Sequence, residues 1–197
     1  YITIPPEFAT SGVGATRGFR VYGDQKNFDL AVNVVRGEEQ MRGKIVGDNM
    51  MFETDYPDGV HSAQLINMEQ KVDQPPIDAG FFPNDDPIPG IPGYASTGDF
   101  ADNIALKIET YLHFEEPGFY THYFNSDDGF RTLCVPAPDE QLNSIIVGEF
   151  MRDRGASDTT TLLYVPEAGY YCFRTLWWEG TGGASLEWSM AAPGQER

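Results

Sequence analysis

Apolar and polar residues alternate along most of the second half of the chain, which is the period of a half-buried β-strand. Turn-forming stretches rich in proline and glycine separate these alternating runs, and many short strands at such spacing are typical of a β-sandwich. Residues 118–135 are predicted to form an aromatic hairpin, and the other runs predicted as strands are residues 105–114, 144–151, 159–165, 169–178 and 184–190.

The first half is less regular. Short strands are predicted at 18–22, 44–46, 50–54 and 60–67. The only helix that the pattern allows spans residues 27–36, where Leu30 and Val34 share a face and Gly37 could end it. We therefore expect an all-β protein, an antiparallel β-sandwich with at most one short helix.

The division of the chain follows from composition. Residues 1–16 are irregular and are predicted to form a leader or an edge strand. Residues 17–192 show no repeat and no internal boundary, so we expect one domain. Within it, residues 73–99 form a long proline-rich connection, and a loop of that length is often functional.

Charge restricts the partners. The net charge of −17 argues against nucleic acids, whose phosphates require Lys and Arg, and against anionic membrane surfaces. No run of about 18 apolar residues exists, so membrane insertion is not expected. The acidity suits a soluble surface or a salty environment, and it equally suits a protein that binds divalent cations.

One acidic turn is the clearest chemical signal. Asp127, Asp128 and Gly129 lie between two aromatic runs, and Asp-Gly in that setting predicts a tight hairpin. Adjacent carboxylates repel each other and need solvent or a cation. A hard cation such as Ca²⁺ suits an all-oxygen site. The alternative is an ordinary solvated turn.

The two cysteines, Cys134 and Cys172, each lie in a strand-like run. They could form one disulfide, which would imply an oxidising compartment. Two buried thiols are the alternative.

Several ordered motifs together resemble the PA14 domain, a β-sandwich module of bacterial surface proteins, adhesins and glycosidases. The resemblance covers roughly residues 80–190. Two positions depart from the family pattern: His122 replaces an apolar residue that faces the core, and Cys172 replaces a proline. The matching stretches are Gly-Phe-Tyr-Thr-His at 118–122, Ser-Asp-Asp-Gly at 126–129, Phe-Arg-Thr-Leu at 130–133, Ala-Gly-Tyr-Tyr at 168–171, Phe-Arg at 173–174, Trp-Trp-Glu at 177–179 and Gly-Gly-Ala at 182–184.

The resemblance implies a calcium site. In lectin-type PA14 domains the Asp-Asp pair is joined by a cis peptide bond and binds Ca²⁺ together with a second loop. The matching loop here spans residues 150–158. The implied ligands are the carboxylates of Asp127, Asp128, Asp153 and Asp158, the Gly155 carbonyl and Ser157.

The resemblance also implies sugar recognition, since vicinal hydroxyls of a glycan can complete the coordination of such an ion. Contacts to the sugar would come from the second loop and from nearby aromatic rings. Glu179 is expected to be a hydrogen-bonding turn residue, with a metal role as the alternative. The contact candidates are Arg152, Arg154, Phe130, Trp178 and Tyr94; the two arginines could instead neutralise Asp153 and Asp158.

No catalytic motif accompanies these residues, so an enzyme is not expected. The function that the resemblance implies is a non-catalytic, extracellular, Ca²⁺-dependent carbohydrate-binding or adhesin module of a bacterial cell surface. Its partners would be a glycan or a cell-surface polysaccharide. The alternative is a structural subunit of a surface layer, stalk or fibre, which contacts neighbouring copies or domains of a larger surface protein and in which Ca²⁺ is only structural or absent.

Overall fold

The computed structural model describes residues 1–10, 18–22, 60–61, 66–70, 79–88, 104–137 and 142–197. Within these residues the chain forms twelve strands and a single turn of 3₁₀ helix at Pro6–Phe8. No helix in this part of the chain has the length and apolar composition that crossing a membrane requires. The helix predicted at 27–36, and the strands predicted at 44–46 and 50–54, lie outside the described residues.

The strands form two six-stranded sheets, which confirms the β-sandwich. Most neighbours are antiparallel, and two edge pairs, β1–β10 and β4–β5, are parallel. The first sheet has the order β1-β10-β7-β12-β4-β5, made of β1 (Ile2–Thr3), β10 (Ser157–Val165), β7 (Gly118–Asp127), β12 (Ser185–Ala191), β4 (Asn67–Glu69) and β5 (Asp86–Pro87). The second has the order β3-β2-β6-β11-β8-β9, made of β3 (Val60–His61), β2 (Gly18–Tyr22), β6 (Ile104–Phe114), β11 (Gly169–Glu179), β8 (Gly129–Val135) and β9 (Ile145–Phe150).

The core between the sheets is mainly aromatic. Along strands such as β7, alternate residues point inward, as the sequence pattern predicts, and rings from the two layers meet. Phe124 of the first sheet stacks on Phe130 of the second, with ring centroids 4.9 Å apart. Trp177 is also completely buried in this cluster.

His122 is part of the same core. It is completely buried among Phe114, Phe124, Phe173 and Trp188. Its Nδ1 accepts the indole N–H of Trp188 at 3.0 Å, and no described residue bonds its Nε2. Burial lowers the pKa of His122 to about 3, so the ring is neutral at physiological pH.

The predicted hairpin at 118–135 is wrong. Strand β7 pairs with β10 and β12 in the first sheet, whereas β8 pairs with β9 and β11 in the second. The chain therefore crosses from one layer of the sandwich to the other at Asp127, Asp128 and Gly129. Gly129 is needed there because a Cβ atom would lie 2.9 Å from the carbonyl oxygen of Phe150. Its role is close approach of two backbones, and it does not adopt the positive φ that a hairpin turn requires.

The disulfide considered for Cys134 and Cys172 is not formed, and both thiols are buried. The register explains this result. Cys134 lies opposite Phe173, and Cys172 lies opposite Val135, on the adjacent strands β8 and β11. Because neighbouring residues of a strand point to opposite faces, the two sulfur atoms lie on different sides of the second sheet.

The N-terminal residues pack onto the same chain. Strand β1 forms one edge of the first sheet by pairing with β10, and Ile4 is buried in the core.

Candidate metal centre

Three carboxylates converge where the chain crosses between the sheets. Oxygen atoms of Asp127, Asp128 and Glu179 all lie within 4.8 Å of one another. Glu179 is completely buried and Asp128 nearly so, while Asp127 is half-buried. The peptide bond between Asp127 and Asp128 is cis. The register brings Glu179 to this point, because its neighbour Trp178 lies opposite Gly129 in the pairing of β11 with β8.

The backbone of the acidic pair is held from both layers. Trp177 of the second sheet donates its indole N–H to the Asp127 carbonyl at 3.0 Å. Ser126 donates its hydroxyl to the Asp128 carbonyl at 2.7 Å. These bonds fix the direction in which both carboxylates leave the chain.

The Asp128 carboxylate is oriented by backbone amides. The N–H of Arg154 donates to Oδ1 at 2.8 Å, and the N–H of Gly180 donates to Oδ2 at 2.9 Å. Each oxygen keeps a second lone pair that can face a cation. The glycine-rich turn after β11 approaches closely, since a Cβ atom on Gly183 would lie 3.0 Å from the Asp127 Oδ2.

The electrostatics are those of crowded carboxylates. Burial, reinforced by the charge of Asp128, raises the pKa of Asp127 to about 6. Burial also raises the pKa of Asp128, and Asp153 adds to the effect through its charge. Bringing these acids together is therefore unfavourable without a positive charge nearby.

The donor set fits a hard cation. Calcium binds oxygen at roughly 2.3–2.6 Å, so two ligands of one ion lie at most about 5 Å apart. The three carboxylates meet that limit, and they offer only oxygen, which calcium prefers to nitrogen or sulfur ligands.

The second loop contacts this cluster mainly through its backbone. The N–H of Ala156 bonds the Asp127 carboxylate, as that of Arg154 bonds Asp128. Asp153 is exposed and near enough to influence Asp128 by its charge. The Gly155 carbonyl accepts the hydroxyl of Ser157 at 2.9 Å.

Asp158 is engaged elsewhere. Its Oδ1 accepts the Asn125 amide at 2.8 Å, and its Oδ2 pairs with Arg197 at 2.5 Å. Burial alone would raise the pKa of Asp158, but these hydrogen bonds outweigh it and lower the pKa. The three-carboxylate cluster contains neither Asp153 nor Asp158, so the structure brings Asp127 and Asp128 together with Glu179 instead.

The two loop arginines have different surroundings. Arg152 is exposed and lies over the Phe150 ring, 5.5 Å from its centroid. Arg154 turns inward and lies 4.3 Å from the same centroid. Its guanidinium donates to the Ser126 carbonyl at 3.0 Å, the Ser126 hydroxyl at 2.7 Å and the Thr159 hydroxyl at 2.9 Å. Arg154 thus ties the loop to strands β7 and β10, and these contacts leave it little capacity to bind a ligand directly.

The aromatic candidates for sugar contact are largely buried. Phe130 is completely enclosed in the core, so it has no ring face for a ligand. Trp178 is only 5% exposed, although it lies on the face of β11 opposite Trp177. As strand alternation predicts, only Trp177 faces the core between the sheets, but Trp178 is buried too because both faces of β11 are covered here. Tyr94 lies outside the described residues.

Comparison with known proteins shows which solved structures share this architecture. No protein-family model and no curated protein matches the sequence. Among solved structures, a PA14 sugar-binding domain from an RTX adhesin superposes with a TM-score of 0.54 at 14% identity, over 92% of each chain. The PA14 domain of the MpAFP antifreeze protein gives 0.52 at 16% identity, over 92% of this chain and 84% of that one. This chain has a PA14-type fold.

Other solved structures superpose on this chain to a similar extent. The Epithelial Adhesin 9 A domain from Candida glabrata, in complex with Galβ1-4GlcNAc, gives a TM-score of 0.56 at 14% identity, over 100% of this chain and 88% of that one. An anti-sigma factor domain-containing protein gives 0.55 at 13% identity, over 92% of this chain, which spans 44% of that protein. Identities this low establish the fold and leave function to the site.

Proposed function

We propose that this protein is a non-catalytic, Ca²⁺-dependent carbohydrate-binding module that acts in adhesion outside the cell. The observation that carries the proposal is the convergence of Asp127, Asp128 and Glu179, three oxygen donors within the span that one calcium ion can bridge. Solved structures of the same fold support it: one is a PA14 sugar-binding domain from an RTX adhesin, and others are epithelial adhesin domains in complex with glycans.

Different residues of the site would have different roles. Asp127, Asp128 and Glu179 would hold the ion, while the amides of Arg154 and Gly180 orient Asp128. A bound calcium ion would supply open coordination positions that vicinal sugar hydroxyls can occupy. The exposed part of the loop, which includes Arg152 and Asp153, would then contact the rest of the glycan. Asp153 and the Gly155 carbonyl remain candidate ligands from that loop.

The decisive experiment is a glycan array with and without EDTA. We expect binding that EDTA abolishes and that Asp127→Ala with Asp128→Ala abolishes as well. Glu115→Gln is the control for charge, because it removes an exposed carboxylate just after the end of β6 and should retain binding. EDTA-sensitive binding that survives the double substitution would contradict the site, and binding that ignores EDTA would contradict the calcium mechanism.

A structural role for calcium is the second candidate. The complete burial of Glu179 favours it, because a deeply held ion can be enclosed by protein ligands alone. In that case calorimetry would detect Ca²⁺ binding to wild-type protein, and the glycan array would show no EDTA-sensitive signal. The module would then belong to a surface layer or stalk in which the ion joins two loops.

A further inference from the structure

The outer face of the first sheet carries a second buried set of oxygen atoms. Register places Asn67 and Asn125 on either side of Glu187, and it places Ser185 between Glu69 and Asp127. Residues opposite each other, or two apart along a strand, share one face of a sheet. All six residues therefore lie on the face that points away from the core, and this set adjoins the first site through Asp127.

This face is enclosed by the segment 79–82. Ala79 donates its N–H to Glu69 at 3.2 Å, and Phe81 and Phe82 donate theirs to Glu187 at 2.8 and 2.9 Å. The backbone of Gly80 lies against Glu187, since a Cβ atom there would be 2.5 Å from the carboxylate. The oxygens beneath this segment are removed from bulk water.

Three of these oxygens lack a hydrogen-bond partner among the described residues. They are Asn67 Oδ1, Asn125 Oδ1 and Ser185 Oγ, in residues that are only 9%, 7% and 3% exposed. The Asn125 amide nitrogen points to Asp158 on β10, which turns its Oδ1 toward β12, where Ser185 lies. Asn67 turns its amide nitrogen to the Phe82 carbonyl at 3.4 Å. Buried acceptors of this kind require a donor or a cation.

The charge balance of this face favours a cation over a neutral hydrogen-bond donor. Glu187 and Asp158 are both paired with Arg197. Glu69 is 7% exposed, and the backbone N–H of Ala79 is the only hydrogen-bond donor that the described residues give its carboxylate. A buried carboxylate without a counter-charge is unfavourable, and a water molecule would not supply one.

We propose that this face holds a second hard cation, separate from the ion at Asp127 and Asp128. Asn67 Oδ1, Asn125 Oδ1 and Ser185 Oγ supply neutral oxygen ligands, and Glu69 supplies the counter-charge. An oxygen-only set with one carboxylate suits Ca²⁺ completed by water. The ion holds segment 79–82 against the sheet.

The test counts calcium ions by native mass spectrometry and calorimetry on the full chain. Wild-type protein should bind two ions, and Asp127→Asn with Asp128→Asn should leave one. In that background Glu69→Gln should weaken the remaining affinity by roughly tenfold or more. Glu115→Gln is the control, since it removes an exposed carboxylate just after the end of β6 and should change nothing.

A folded double variant that binds no calcium would overturn the proposal, and so would a Glu69→Gln variant with unaltered affinity. Either result would indicate that ordered water, and not a cation, lies beneath segment 79–82. Should the double variant fail to fold, Glu69→Gln in the wild-type background decides, because the affinity for one of the two ions should fall by the same factor while the other is unchanged. Glycan binding that is retained in that variant separates this site from the one at Asp127 and Asp128.

Discussion

Trp177 donates its indole N–H to the backbone carbonyl of Asp127 at 3.0 Å, so a completely buried core residue holds the first member of the acidic pair. We predict that Trp177→Phe, which keeps an aromatic ring and removes the donor, lowers the free energy of unfolding by about 1 kcal/mol. It should also weaken Ca²⁺ binding, up to about tenfold, because the carboxylates lose their fixed direction. Calorimetry checks the affinity.

The matched control for that substitution is Trp188→Phe. Trp188 also donates an indole N–H at 3.0 Å, to His122 inside the core and away from the acidic pair. Its loss should cost comparable stability and leave calcium affinity unchanged. Equal affinity losses in the two variants would show that the effect of Trp177 is general destabilisation.

Asp127→Asn should stabilise the metal-free protein at neutral pH. The folded-state pKa of Asp127 is about 6, above its ordinary 3.8, so its ionisation opposes folding. The stabilisation by the variant should be absent below about pH 4, grow as the pH rises through 6, and then level off. We expect on the order of 1 kcal/mol, because solvent screens this half-buried carboxylate.

Denaturant unfolding in EDTA at several pH values measures this difference. With calcium added, the order should reverse, because wild-type protein gains binding free energy and the variant loses it. A variant less stable than wild type in EDTA at pH 7.5 would contradict the proposed repulsion between the carboxylates.

Arg154→Ala should weaken calcium binding by roughly tenfold. The guanidinium bonds Ser126 and Thr159 and lies over Phe150, so its removal frees the loop whose amides orient both aspartates. Arg154→Lys should restore binding only partly, since an ammonium lacks the planar fork that makes these bonds. Arg152→Ala removes the same charge from an exposed position, and it should leave calcium affinity nearly unchanged.

His122 should make the protein sensitive to acid. Its folded-state pKa is about 3 and its ordinary value is 6.5, so below pH 6.5 the unfolded chain takes up a proton that the folded chain excludes. The free energy of unfolding should therefore fall by about 1.4 kcal/mol per pH unit between pH 6 and pH 3 from this group alone. Circular dichroism during urea unfolding measures the slope.

His122→Phe should flatten that slope, even if loss of the Trp188 bond lowers stability at every pH. His113→Gln is the control, because His113 is exposed and stacks on Tyr170 at the surface. A slope that persists in His122→Phe would assign the acid sensitivity to other groups.

The alternation of apolar and polar residues predicted the strands well, because it depends only on which face of a strand is buried. It did not predict pairing. Asp127, Asp128 and Gly129 have the local chemistry of a hairpin, yet β7 and β8 belong to different sheets because each finds better partners far along the chain. The same limit explains the cysteines, whose opposite orientations follow from the register of β8 against β11.

The same limit applies to the candidate site, where the sequence could indicate some residues and not others. Asp127 and Asp128 are adjacent in sequence and could be singled out from it. Glu179 is 51 residues from Asp128 (179 − 128) and reaches it only through the pairing of β11 with β8. Its signal was a charged residue closing an apolar strand, which a solvated turn explains equally well. Asp158 was chosen for its loop, and the sequence could not show that Asn125 and Arg197 would engage it.

The crossing of the chain between the two layers has a mechanical consequence. An ion held by Asp127, Asp128 and Glu179 would join the end of a strand in one sheet to the end of a strand in the other. Shearing the layers past each other under tension would then require coordination bonds to break along with the packing of the rings. The load at which the module yields would therefore depend on the calcium concentration around it.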